Sequence, residues 1–426
     1  MTHDPHAVVF NLLSDAFQDA PSATFAALRD RCPVNHTTVP AEHWTLSREA
    51  DVVAALRDDG TWSSKYGPGL SYGEIGAGVL VSSDPPFHTN ERLSISRAFK
   101  PSVLEAMEPD IRALVNELVD AFVDRGQGDI VRDLAMPLPL TVMCWMLGMP
   151  CEDIALFRSW VLPMAEAVAL EGGRDANDAV VDAYRQYYSY FGPHIDRRAN
   201  AITAGVQVPD DLLTRLLTVE RDGQQLTHTQ VVGFCQFLLD AVSATTTLLI
   251  GNVVNRLMRH PDQMALVQAD RSLVANAIEE SLRIDAPVHG LFRTNNCPVT
   301  IHDVEIPTDS KVYMLFGSAN RDPNAWEEPD RFDVTRDLKD LRKRHAAFGV
   351  GIHYCLGAPL SRIEGAVALE AVLDRLANIR PDGTPTKVKA SVLNGFEALP
   401  VRWDVTPPAS PGASPASGPT TSRNTP

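Results

Sequence analysis

The chain has 426 residues, 44% of them hydrophobic, and a formal net charge of −16. That is ample material for a large core and the wrong sign for a partner built on phosphates. No segment approaches the run of about 18 apolar residues that spans a bilayer, and "MTHDPHAVVF" lacks the basic-then-apolar order of a secretory leader, so a cytoplasmic, soluble protein without nucleic-acid partner or membrane insertion is expected.

In chain order, "HWTLS" at 43–47 alternates like a short strand. "PSVLEAMEPDIRALVNELVDAFVDRG" from Pro101 carries apolar residues at three- and four-residue intervals, as do 152–169, 178–191 and 229–256. Strand-like pieces follow at 299–307, 311–316 and 399–405, with a helix from Pro359 onward between the last two. The expected fold class is mainly α with a small β-rich part. No linker interrupts the chain, so one domain over 1–405 is expected. The tail 406–426, rich in Pro, Ser and Gly and without core-forming residues, is expected to be disordered.

The six cysteines are scattered, and none forms the C-x-x-C pair of a zinc or iron–sulfur site. Five read as inert packing residues. Cys355, in "AAFGVGIHYCLGAPLSRIE", is different. A helix with proline in its first turn begins directly behind it, and the N–H groups and dipole of that end favour a thiolate. Gly349, Gly351 and Gly357 let the backbone fold tightly and approach a flat cofactor. A single thiolate with no second soft ligand suits an iron already held by four porphyrin nitrogens.

The stretch resembles the haem-binding loop of the cytochrome P450 family, F-G-x-G-x-H-x-C-x-G, which Phe348, Gly349, Gly351, His353, Cys355 and Gly357 match at every position. The resemblance implies the fold of that family, with haem between a long central helix and the helix behind the cysteine loop, and Cys355 as axial ligand to the iron. "EESLR" matches the family's E-x-x-R pair, implying that Glu280 and Arg283 are buried together and joined by Arg331 of "PDRF". "DPPFHTNER" matches D-P-P-x-H-T-x-x-R, implying that His88 and Arg92 hold haem propionates, with Arg293 and His353 as the third and fourth ligands. An arginine suits this task because its fork pairs bidentately with a carboxylate.

The central helix departs from the pattern. Where the family has A-G-x-[DE]-T, this chain has Ala241, Val242, Ser243, Ala244 and Thr245. The threonine is kept and the acid is absent at Ala244. Protons then come through Thr245 with water, through Ser243, or through a substrate hydroxyl. Positions matching the family's pocket are Val79, Leu80, Phe237, Asp240, Ala241, His289, Leu291, Val392 and Leu393. Period-two alternation places His289, Leu291 and Arg293 on one side of a strand, whereas ideal helix geometry turns Asp240 about 140° from Thr245 and leaves a pairing elsewhere open for it.

By resemblance the protein is a haem-thiolate monooxygenase using haem b and O2, inserting one oxygen atom into a C–H bond (hydroxylation) of a small lipophilic substrate. Having no flavin or iron–sulfur motif, it takes NAD(P)H electrons from a separate ferredoxin-type donor. Arg97, Lys100, Arg342, Lys343, Arg344 and Arg362 form the expected basic docking face, though a merely solvated basic run stays open for 342–344. A monomer is expected. The alternatives are a peroxide-using or rearranging haem-thiolate enzyme and a non-catalytic haem-binding or sensor protein.

Overall fold

The computed structural model describes residue 8 and residues 10–70, 79–160, 174–221 and 224–405. The tail at 406–426 and residues 161–169 of the expected helix at 152–169 lie outside the described residues; of that helix, 154–160 are helical.

The organising element is the central helix His228–Arg259. A capping box starts it: the Gln230 N–H donates to Thr227 Oγ1 at 3.3 Å, and the Thr227 N–H donates to Gln230 Oε1 at 2.9 Å. It is long and apolar enough to cross a bilayer, but most of its most apolar stretch is buried inside the protein. Around it pack Pro137–Leu147, Arg174–Thr203, Val274–Ile284 and Ala358–Arg375. Pro137–Leu147 shows no amphipathic period because it is apolar all round and nearly every residue is buried.

The main sheet has five strands in the order Val34–Thr37, His43–Leu46, Lys311–Met314, Leu291–Asn295 and Trp62–Ser63. Its register sets Arg293 opposite Val312. The segment at 299–307 is a hairpin rather than one strand: Val299–Ile301 pairs antiparallel with Val304–Ile306. The turn residues His302 and Asp303 are both left-handed, at φ 50° and 63°, the requirement of a two-residue hairpin turn that glycine usually meets. Pro400–Asp404 lies between Ala377–Pro381 and Gln127–Asp129 in a second sheet.

Candidate active site

Cys355 sits where a tight loop meets the helix Ala358–Arg375. Its N–H donates to the Phe348 carbonyl at 2.8 Å, and Gly349 and Gly351 take φ of +71° and +78° to make the turn. A Cβ on Gly351 would collide with the Leu56 carbonyl, so that glycine is required by space as well as by conformation. Burial pushes the Cys355 thiol up, while the N–H groups of Gly357 and Ala358 and the guanidiniums of Arg92 and Arg362 pull the other way. The helix end therefore helps the thiolate but does not outweigh desolvation; a bound cation would. Of the other cysteines, Cys144 and Cys235 are buried, with thiols pushed by burial to about 12. Cys297 is exposed and is not a packing residue.

A cavity of about 360 Å³ separates the Cys355 loop from the central helix. Cys355, Phe348 and Gly357 line one wall; Phe237, Asp240, Ala241, Ala244 and Thr245 line the other. His88, Arg92, Arg293 and His353 also face this space. His88 is 2% exposed, its Nδ1 has no hydrogen-bond partner, and its ring lies 4.1 Å from that of His353. His353 bonds Ser64 Oγ at 3.0 Å. Arg92 donates to the Tyr354 carbonyl at 2.6 Å, and Arg293, 4% exposed, donates to the Phe292 carbonyl at 3.0 Å. Burial, reinforced by the two guanidiniums, holds His88 down to about 4 and His353 down to about 2. Burial also lowers Arg293 to about 10. Two guanidiniums, Arg293 buried and Arg92 half-buried, converge on one cavity beside the buried His88 and half-buried His353, and the guanidiniums call for anions because a charge taken out of water without a counter-charge is costly. The orphaned His88 nitrogen, the under-paired arginines and the lone thiol fit a haem with its two propionates.

Glu280 and Arg283 pair as expected. Arg331 does not join them: its side chain is exposed and pairs with Glu328 at 2.8 Å, and only its carbonyl accepts from Arg283. Arg336 takes that place, donating to Glu280 Oε1 at 3.0 Å. The chain turns between the two positions, so the arginine that reaches inward stands five positions after the motif arginine. The neighbouring Glu279, unnoticed in the sequence, is buried against His345, Arg362 and Arg342. Burial alone would raise its carboxyl, but His345 and Arg362 hold it down to about 2. Arg342 and Arg362 of the basic face are thus engaged internally, and Arg344 pairs with Asp340 and stacks on Trp326. Arg97, Lys100 and Lys343 are exposed.

Leu80, Phe237, Asp240, Ala241, Leu291, Val392 and Leu393 line the cavity; Val79, Ser243 and His289 do not. Val79 packs into the core, and Leu80, left-handed at φ 46°, has its N–H held by Glu91 Oε2 at 2.8 Å. The Ser243 hydroxyl turns back along the helix to the Leu239 carbonyl at 2.5 Å. His289 precedes the strand that starts at Leu291, so the alternation does not reach it. Its N–H donates to the Val392 carbonyl, and its ring packs between Phe17 and Phe25. Thr245 faces the cavity and donates to the Ala241 carbonyl at 2.8 Å. Asp240 accepts from the Tyr187 hydroxyl at 2.6 Å, a partner 53 residues away in the chain.

The cytochrome P450 family model matches residues 177–394. Cyclomarin C epoxidase CymV of Salinispora arenicola is 38% identical over 84% of this chain and 89% of its own. The monooxygenase PikC of Streptomyces venezuelae is 33% identical over 94% and 95%. The structure of CYP109Q5 from Chondromyces apiculatus superposes with a TM-score of 0.82 at 32% identity, covering 93% of this chain and 98% of that one.

Proposed function

This chain belongs to the cytochrome P450 family and is a haem monooxygenase, and from that premise we propose that it hydroxylates a C–H bond of a compact lipophilic molecule. Haem b held at Cys355 supplies the activation of O2, using electrons delivered by a redox partner. The supporting observation is the one cavity with Cys355 on one wall and Thr245 on the other. Gly357 and Ala358 N–H groups hold the sulfur, while His88, Arg92, Arg293 and His353 hold the propionates. The apolar wall of Leu80, Phe237, Leu291 and Val392 excludes water and binds substrate, each buried methylene contributing about 0.8 kcal/mol. The Thr245 hydroxyl faces the cavity with its oxygen while its proton goes to the Ala241 carbonyl, so it would accept a hydrogen bond from a group bound there.

The donor is a ferredoxin-type protein docking near Arg97, Lys100 and Lys343, where opposite charge speeds encounter. Residues 1–405 act as one haem-thiolate unit and 406–426 as a tail. Ala244 favours a second reading, peroxide-driven turnover, because the carboxylic acid that would relay protons is missing there. The test offers the haem-loaded chain a panel of lipophilic compounds with NADH, a surrogate ferredoxin and its reductase, or with hydrogen peroxide alone. A product heavier by one oxygen that needs NADH and ferredoxin supports the first reading. Product with peroxide only supports the second, and no product with either sinks both. CymV is named an epoxidase, so alkenes belong in the panel, and an epoxide as the sole product class would overturn hydroxylation.

A further inference from the structure

Asp240 is the one acidic side chain among the described residues lining the cavity. It lies one helical turn before Ala244 and five residues before Thr245, about 7.5 Å along the axis. Its carboxylate has two partners, the Tyr187 hydroxyl at 2.6 Å and the Gln236 amide at a long 3.4 Å. Among the described residues, no lysine, arginine or histidine pairs with it. Arg92 and Arg293 bond backbone carbonyls instead.

A carboxylate accepts about four hydrogen bonds, and two neutral donors leave this one under-supplied in an apolar setting. Burial accordingly pushes it up to about 7 against the pull of both hydrogen bonds. If the contact served only to join the central helix to Arg174–Thr203, an amide would bond the phenol equally well without the cost of desolvating an acid. Asp240 lines the cavity, so a molecule bound there can reach its remaining acceptor capacity.

We propose that Asp240, positioned by Tyr187, determines specificity by receiving a protonated amine of the substrate, with the apolar remainder of the molecule directed toward Thr245 and Cys355. The proposal rests on the haem-monooxygenase reading. It gives the substrate one basic nitrogen set away from the carbon that is oxidised. Phe237 and Ala241, one turn or less from Asp240, supply apolar contact for the carbons next to that nitrogen.

The test uses N,N-dimethyl-4-phenylbutylamine and its hydrocarbon isostere, (5-methylhexyl)benzene, on the haem-loaded full chain. The crowded tertiary nitrogen is a poor iron ligand, yet it keeps one N–H when protonated. Binding is read by the Soret shift and by calorimetry. The amine should displace iron-bound water, giving a blue shift. Asp240→Asn should weaken it about tenfold or more, the scale of one charge-assisted hydrogen bond, while changing the isostere less than about twofold. Tyr187→Phe should keep the preference for the amine. Equal weakening of both probes in Asp240→Asn, unchanged amine binding there, no amine binding in wild type, or the red shift of nitrogen–iron ligation overturns the proposal. The reduced carbon-monoxide spectrum separates the two levels. A wild type without the thiolate band sinks the haem-thiolate reading and this proposal with it; a normal band with any of the preceding results sinks the proposal alone.

Discussion

The Arg283 guanidinium meets the Glu280 carboxylate through two bonds of 2.7 Å, Nε to Oε2 and Nη2 to Oε1, and neither side chain has any exposed surface. Arg283 also donates to the carbonyls of Asn320, Pro329 and Arg331, so one side chain ties the helix Val274–Ile284 to the segment leading toward the cysteine loop. Removing one partner of such a pair strands a buried charge, at about 3–5 kcal/mol. Arg283→Ala should therefore lose haem and cooperative unfolding together. Arg336→Ala should cost about 1–3 kcal/mol because it leaves Glu280 under-bonded, whereas Arg331→Ala should stay within about 0.5 kcal/mol. Urea unfolding of the two single variants checks the order, and equal costs would contradict it.

Glu279 supplies an acid-sensitive brace. Its carboxyl lies near 2 in the folded protein, held down by His345 and Arg362 against burial, and near 4.3 when unfolded. A depressed folded value gives stability that is complete above about pH 4.3 and drains away as pH falls toward 2. The total is about 3 kcal/mol. Denaturant midpoints between pH 6 and pH 3 should fall more steeply for wild type than for Glu279→Gln, which starts less stable. Parallel slopes would mean that the Glu279 pairings carry no net linkage.

Much of the candidate site is legible in the sequence because the loop motif fixes residue types over a few positions of local backbone. His88, Arg92, Arg293, His353 and Cys355, scattered along the chain, do converge on one cavity. What could not be read was set by chain reversals and side-chain rotation. Arg336 replaces Arg331 because the segment turns beneath Glu280. Ser243 satisfies its own helix instead of the cavity, a habit of buried hydroxyls. His289 falls just outside the strand Leu291–Asn295, beyond the reach of its alternation. The Tyr187 partner of Asp240 lies on another helix, with no local signal to announce it.

Arg92 and Arg293 should each contribute about 1.5–3 kcal/mol to haem retention through a charge-assisted pair with a propionate. Arg92→Ala and Arg293→Ala should each release haem to excess apomyoglobin about tenfold faster or more, with far-UV circular dichroism unchanged. Wild-type release rates in both variants would remove these residues from the site.

Thr245 and Ala244 test proton supply. Thr245→Ala should raise hydrogen peroxide formed per NADH consumed, because the cavity loses its hydroxyl. Ala244→Asp restores an acid one residue before that threonine; a positioned general acid typically contributes 10²–10⁴-fold, so even partial recovery should raise product per NADH. Unaltered coupling in Thr245→Ala would reduce that hydroxyl to its bond with the Ala241 carbonyl.

Cys355 would be the iron's thiolate ligand, and the spectrum of the reduced carbon-monoxide complex reads that ligand directly. Wild type and Cys235→Ser should both show the long-wavelength Soret band of thiolate ligation, and Cys355→His should bind haem without it. Persistence of the band in Cys355→His, or its loss in Cys235→Ser, would contradict the assignment.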